Sequence, residues 1–572
     1  MLRRILVPVV LLLLTAVSLL AQNRLPQASE MIEVSIVNVD VIVTDKQGNR
    51  VRGLTKDDFE IREQGRVQPI TNFAEYSPLA GESVSVDGVA PATAPAAATA
   101  APRAKRTIVV FIEWFKLPGF RTKPMFAAMR KLLRETVRPG DAVSIVTWAN
   151  APKVRLELTD DIDAIERVLT EIEKDTSGID VYGSEVAFTR QESAMAQAWQ
   201  NSVASAASAR GLPTMEMGAI GGSGYARAKL ELYRIKQKAA ALNALMQSMS
   251  GIEGKKIVLM ATHRFGNYAG FEFVGGGFLP PSSEFDTREI RESVIRTANA
   301  NNITLYPIYP TGLGWTTEDA SVTRENVFAM NHEADYRRAA SDHNILMNET
   351  GSLDQLADET GGAMAAGHAN IVDLLPRIGE DLESYYSLAY RTTAERKDRV
   401  KDLEVRTKNR DYVVRARQQY VEKSDATKMA DRVTAGLFRT PDGSVIPLQA
   451  EIGKATKTGS RRWVVPLKIR VPIDSLTTIE QRNAVKGSFS VFIASGAEFG
   501  VISDVVQRTQ PFTIETKDLA RAKGSHFTYE FELKIDDITD RVSIGVLDEV
   551  SKEYGLKVLT LPNRDVLTAD MR

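Results

Sequence analysis

Glu113 is the residue whose surroundings best suit chemistry. It ends the run Arg106-Thr107-Ile108-Val109-Val110-Phe111-Ile112-Glu113 and opens the tetrad Glu113-Trp114-Phe115-Lys116. The run is apolar without alternation, the pattern of a strand buried on both faces of a parallel sheet. In open α/β sheets ligands sit beyond the carboxyl ends of the strands, so the tetrad falls where a site is expected. His263-Arg264 follows a second run of this kind, Lys256-Ile257-Val258-Leu259-Met260, and would meet Glu113 and Trp114 on one rim. A carboxylate, an imidazole and an indole there could serve general acid–base chemistry. The preferred reading is plainer: a polar binding rim, or an internal Glu–Arg pair. Trp114, Phe115, Phe120, Phe271, Phe273 and Phe278 add aromatic weight. Exposed, they would mark a surface for protein or glycan; core packing explains any one of them equally well.

Other constellations carry less. His332 and His343 lie among Glu333, Asp335 and Asp342, but without His-Glu-x-x-His spacing, and read as a solvated helix or loop. Asp45, Asp57 and Asp58 are turn and cap residues, lacking the dense oxygen loop of a calcium site. Gly221-Gly222-Ser223-Gly224-Tyr225 resembles a nucleophile elbow but fails at its last position. Gly275-Gly276-Gly277 reads as a loop tip rather than a phosphate cradle. The absence of cysteine from the sequence removes disulfides, thiolate metal sites and a thiol nucleophile. A net charge of −1 argues against bulk electrostatic binding to nucleic acid or anionic lipid.

The elements that must position these residues follow from pattern. At 572 residues the chain should hold about two to four domains. Met1-Leu2-Arg3-Arg4, the apolar stretch Ile5 to Leu20 and polar Gln22-Asn23 read as a signal peptide over residues 1–21, which implies an exported protein in the periplasm, cell envelope or medium. After its cleavage no membrane span is expected. Residues 31–76 alternate β-branched and polar positions, an N-terminal β segment. Residues 77–105, rich in Ala and Pro, read as an extended linker. From 106 to 384 strands and helices alternate, which predicts an α/β fold with a doubly wound, mainly parallel sheet, interrupted by an insertion at 175–225. Residues 385–420 return to β structure and are expected to pair with 31–76. Residues 430–572 read as a C-terminal β-sandwich.

A family resemblance emerges from motifs in order. They are Val51-Arg52-Gly53-Leu54-Thr55-Lys56-Asp57-Asp58-Phe59, Arg138-Pro139-Gly140-Asp141, Gly254-Lys255-Lys256-Ile257-Val258-Leu259, Leu305-Tyr306-Pro307-Ile308, Thr360-Gly361-Gly362 and Tyr385-Tyr386-Ser387-Leu388-Ala389-Tyr390. Over roughly residues 33–420 the chain resembles the exported von Willebrand factor A-related proteins found mostly in acidobacteria. The resemblance implies a von Willebrand A-like domain with a metal-ion-dependent adhesion site: Asp-x-Ser-x-Ser after the first strand, a threonine from a later loop, and an aspartate after the fourth strand. Here those positions hold Glu113, Phe115, Leu117 and Thr262, a degenerate set, so no metal or other cofactor is expected.

The expectation is thus an exported, non-catalytic protein-interaction or adhesion module. Its candidate partner-binding rim is Glu113, Trp114, Lys116, His263, Arg264, Phe271 and Phe273, and its partner a protein or cell-envelope ligand rather than nucleic acid. Two alternatives stand beside it. One is a metal-dependent adhesin with a modified magnesium or calcium site at Glu113. The other is a hydrolase using the Glu113/His263 rim.

Overall fold

The computed structural model describes residues 34–76, 106–113, 119–148, 152–175, 222–250, 252, 254–263, 265–273, 283–309, 332–366, 368–393, 397–438, 444–460, 462–496, 502–536 and 539–561. The signal segment 1–21, the linker 77–105 and nearly all of the insertion 175–225 lie outside the described residues.

The apolar run of the first motif becomes the strand Arg106–Glu113, every residue of which is buried. It lies inside a six-stranded sheet, with Lys255–Ala261, Ile303–Tyr309 and Ala365–Ala366 to one side and Ala142–Trp148 and Pro152–Thr159 to the other. All neighbouring strands pair parallel except the last, which pairs antiparallel. Burial on both faces follows the two-residue period of a strand. Val109 and Phe111 face a core with Val258, Met260, Leu242 and Val294. Ile108, Val110 and Ile112 face a second core with Met129, Leu133, Leu375 and Ile378. The helices Gly222–Ser248 and Arg288–Ala300 therefore cover one face, and Gly119–Thr136 and His368–Glu383 the other.

Local signals set the element ends. The Asp161 carboxylate accepts from the N–H groups of Asp163 and Ala164 at 3.0 and 3.1 Å, capping the helix Ile162–Lys174. In the motif Thr360-Gly361-Gly362 the Thr360 hydroxyl accepts from the Leu305 N–H at 3.1 Å. A Cβ at Gly362 would stand 1.9 Å from the Leu305 carbonyl oxygen, so only glycine allows that approach.

The β segments on either side of this layer pair with each other. Val34–Thr44 pairs antiparallel with Tyr385–Thr393 and Val413–Ala416, and Ile70–Tyr76 joins the other edge of Tyr385–Thr393. A second sheet orders Gln419–Val421, Val400–Thr407, Phe59–Glu63 and Arg66–Gln68. Val39, Val41, Phe59, Ile61, Leu388 and Tyr390 fill the space between them. The chain thus leaves this sandwich after Tyr76 and re-enters it at Tyr385, with the α/β layer inserted between.

The sandwich meets the amino-terminal edge of the parallel sheet through buried charge. Asp381 receives Arg50 and, at 2.8 Å, Arg415. Arg415 also reaches the Gly362 carbonyl at 2.9 Å, and Lys255 donates to the Asp381 carbonyl at 3.1 Å. A cavity of about 20 Å³ lies among Asp40, Lys255, Tyr306 and Arg417.

The C-terminal part carries helix as well as strands, with a short turn of helix at Leu519–Ala522 and a longer one at its start. Asp425–Gly436 is a helix, capped by the Ser424 hydroxyl, which accepts from the Thr427 N–H at 3.1 Å. Ala426, Met429, Ala430 and Val433 supply the helical spacing of its inner face. A Cβ at Gly545 would sit 2.2 Å from the Met429 methyl, so the glycine makes room for the helix. Beyond it two sheets enclose Leu467, Ile469, Phe489, Val491 and Ile544. No helix among the described residues is long and apolar enough to cross a membrane.

Candidate functional site

Three strand ends converge at the carboxyl edge of the parallel sheet. Glu113 ends the central strand and stands in register with Trp148, the end of its neighbour. Thr262 and His263 follow Lys255–Ala261 on the other side, and the Thr262 N–H is held by the Ile308 carbonyl at 3.1 Å. The fourth contributor comes from a helix. In Gly222–Ser248 the buried positions include Ala228, Ile235, Lys238, Ala239, Leu242 and Met246, so Lys238 falls on the apolar stripe itself.

Lys238 is 1% exposed and Glu113 5%. The Lys238 ammonium donates to Glu113 Oε2 at 2.7 Å, to the His263 carbonyl at 2.8 Å and to Thr262 Oγ1 at 3.3 Å. These contacts engage all three of its protons. Glu113 Oε2 also accepts from the Thr262 hydroxyl at 2.6 Å and from the His263 N–H at 3.1 Å. The His263 ring lies alongside, its Nδ1 3.5 Å from the same oxygen. Trp148 and Phe265 wall the ammonium, their ring centres 5.4 and 5.8 Å away. Burial works against the charge on Glu113, but the Lys238 ammonium and His263 beside it hold the carboxyl well below the usual carboxylate range.

Among the described residues Glu113 pairs with Lys238; Arg264, with Trp114, Phe115, Lys116 and Leu117, lies outside them. Of the candidate rim residues, Glu113, His263 and Phe273 are buried. Phe271 is half-buried and remains at the surface. Lys238 was missed by sequence reasoning, although a lysine three residues after Ile235 and four before Leu242 is a readable signal of a buried cation.

Of the other candidates, His343 is exposed on the helix His332–Glu359, and Gly222-Ser223-Gly224 opens the helix Gly222–Ser248. Among the described residues no group of three or more His, Cys, Asp or Glu side chains is arranged to hold a metal ion.

Fold and site together define a mixed α/β protein of several sheets, with a closed ion pair at the carboxyl edge of a mainly parallel one. No protein-family model and no curated protein matches the chain. Among solved structures, a von Willebrand factor type A protein from Catenulispora acidiphila is similar at 10% identity and a TM-score of 0.23, covering 59% of this chain and 72% of that one. The PilB minor pilin from Streptococcus sanguinis is similar at 10% identity and a TM-score of 0.23, covering 63% of this chain and 91% of that one.

Proposed function

We propose that this chain is an exported, non-catalytic interaction or adhesion module of the von Willebrand A-related kind. Its doubly wound α/β layer offers the carboxyl edge of the sheet to a protein or cell-envelope ligand, and the sandwich below acts as its base. The observation that carries this reading is the state of Glu113. It is buried and accepts from Lys238, Thr262 and His263 at 2.6–3.1 Å, so it anchors the rim and is not poised to move a proton. Export rests on the basic start and apolar stretch of residues 1–21. A degenerate adhesion site rests on Phe115, Leu117 and Thr262, which stand where oxygen ligands would be needed.

The test is retention of cell-envelope proteins on the immobilised mature chain, compared with Lys116→Glu/Arg264→Glu. The proposal predicts a retained species that this double reversal releases without altering the melting temperature. Turnover of any substrate that Glu113→Gln abolishes would replace the binding reading with the hydrolase.

A further inference from the structure

The donor set at Glu113 permits a direct test of fit to a divalent cation. Hard oxygens do converge there, one each from a carboxylate, a hydroxyl and a backbone carbonyl, which is the chemistry that magnesium, manganese or calcium would use. They converge, however, on a nitrogen. Lys238 Nζ stands 2.7 Å from Glu113 Oε2, 2.8 Å from the His263 carbonyl oxygen and 3.3 Å from Thr262 Oγ1. A divalent ion and an ammonium cannot share that space without strong repulsion. Nor can the lysine readily swing away. Ile235, Ala239 and Leu242 hold its helix in the core, and Trp148 and Phe265 flank its head. Among the described residues the donor set therefore does not fit a metal.

We propose that Lys238 is a tethered cation standing in place of the divalent ion, fixing the strand ends in one arrangement whatever the free metal concentration. A metal centre can keep an open coordination position for a partner's carboxylate. The ammonium here has all three protons engaged within the protein and offers none. Resting on the interaction-module reading, the consequence for that rim is recognition that resists chelators and uses surface side chains, with no acidic group of the partner entering the centre.

Melting of the full chain tests the cluster without any partner, so it can fail or succeed independently of the binding reading. Wild type is expected to melt at the same temperature in EDTA and in millimolar magnesium, calcium or manganese. Lys238→Ala is expected to melt roughly 5–10 °C lower, because it strands a buried carboxylate. Methylammonium or ethylammonium chloride should restore part of that loss saturably, while equal sodium or tetramethylammonium chloride should not. Should the alanine variant not fold, Lys238→Met and Glu113→Gln/Lys238→Met replace it, and the double variant, with neither charge, is expected to melt above the single one. A saturable rise of wild-type Tm with a divalent ion would overturn the proposal. So would an unchanged Tm in Lys238→Ala, or a double variant no more stable than Lys238→Met.

Discussion

Among the described residues at the carboxyl edge of the six-stranded sheet one buried carboxylate meets one ammonium; at the opposite edge Asp381 meets Arg50 and Arg415 together, with Lys255 and Arg417 close by. At the upper edge every ammonium proton has an oxygen to bond. Among the described residues at the lower edge, Arg50 Nε and Nη1, Arg417 Nε and the Tyr306 hydroxyl have no hydrogen-bond partner. The two edges also differ in how charge is held. At the upper edge the pair keeps Glu113 ionised. At the lower edge burial, offset by Asp40 and reinforced by Arg106, Arg50 and Arg415, pushes the Lys255 pKa down to about 8. Burial and then Arg415 likewise press Arg50 down to about 10. Among the described residues the upper edge is a closed site; the lower is a cation-rich seam that joins two layers, with Asp381 shared by two of its cations.

That contrast can be broken by mutation. The largest effect is expected at Asp381, since Asp381→Asn removes the buried carboxylate that Arg50 and Arg415 share. It should cost about 3–5 kcal/mol in the unfolding transition shared by the sandwich and the α/β layer. A melting curve matching wild type would show that the seam does not bind the two together. Removing a cation from the crowded seam should matter far less. Lys255→Met is expected to stay within about 1 kcal/mol of wild type at pH 7, because it also relieves like-charge repulsion.

The same lysine gives a pH signature. The folded-state pKa of Lys255 is about 8 against an ordinary 10.5. Between those values the unfolded chain binds a proton that the folded chain lacks, so this group makes stability rise with pH there. Below pH 8 both states are protonated and its contribution is flat. Wild type should therefore gain on Lys255→Met from pH 8 to 10, followed by chemical denaturation at each pH. Parallel curves would mean that Lys255 titrates normally.

The upper edge was the more legible of the two. The unbroken apolar run 106–113 shows a strand buried on both faces, and its last residue points to the edge where Glu113 lies. The Val39, Val41 and Val43 alternation likewise shows a half-buried strand. Its partner Tyr385–Thr393 lies beyond the whole inserted layer, and no local pattern carries that register. Lys238 was overlooked because long cationic side chains on helices ordinarily reach solvent. Its position on the stripe with Ile235 and Leu242 was the signal. The seam was illegible for a different reason. Arg50, Asp381 and Arg415 come from three separate parts of the chain, and each alone looks like a surface charge. The helix Asp425–Gly436 was hidden by its small residues, Ala426 and Ala430, which give a weak apolar period.

A double-mutant cycle between positions 113 and 238 tests the claim of a tethered cation most directly, with Glu113→Gln, Lys238→Met and the pair measured by denaturation of the full chain. The account predicts that each single change destabilises by about 3 kcal/mol or more and that the pair recovers at least about 2 kcal/mol of the sum. A coupling energy near zero would contradict it, leaving Lys238 as a buried lysine that merely happens to lie beside Glu113.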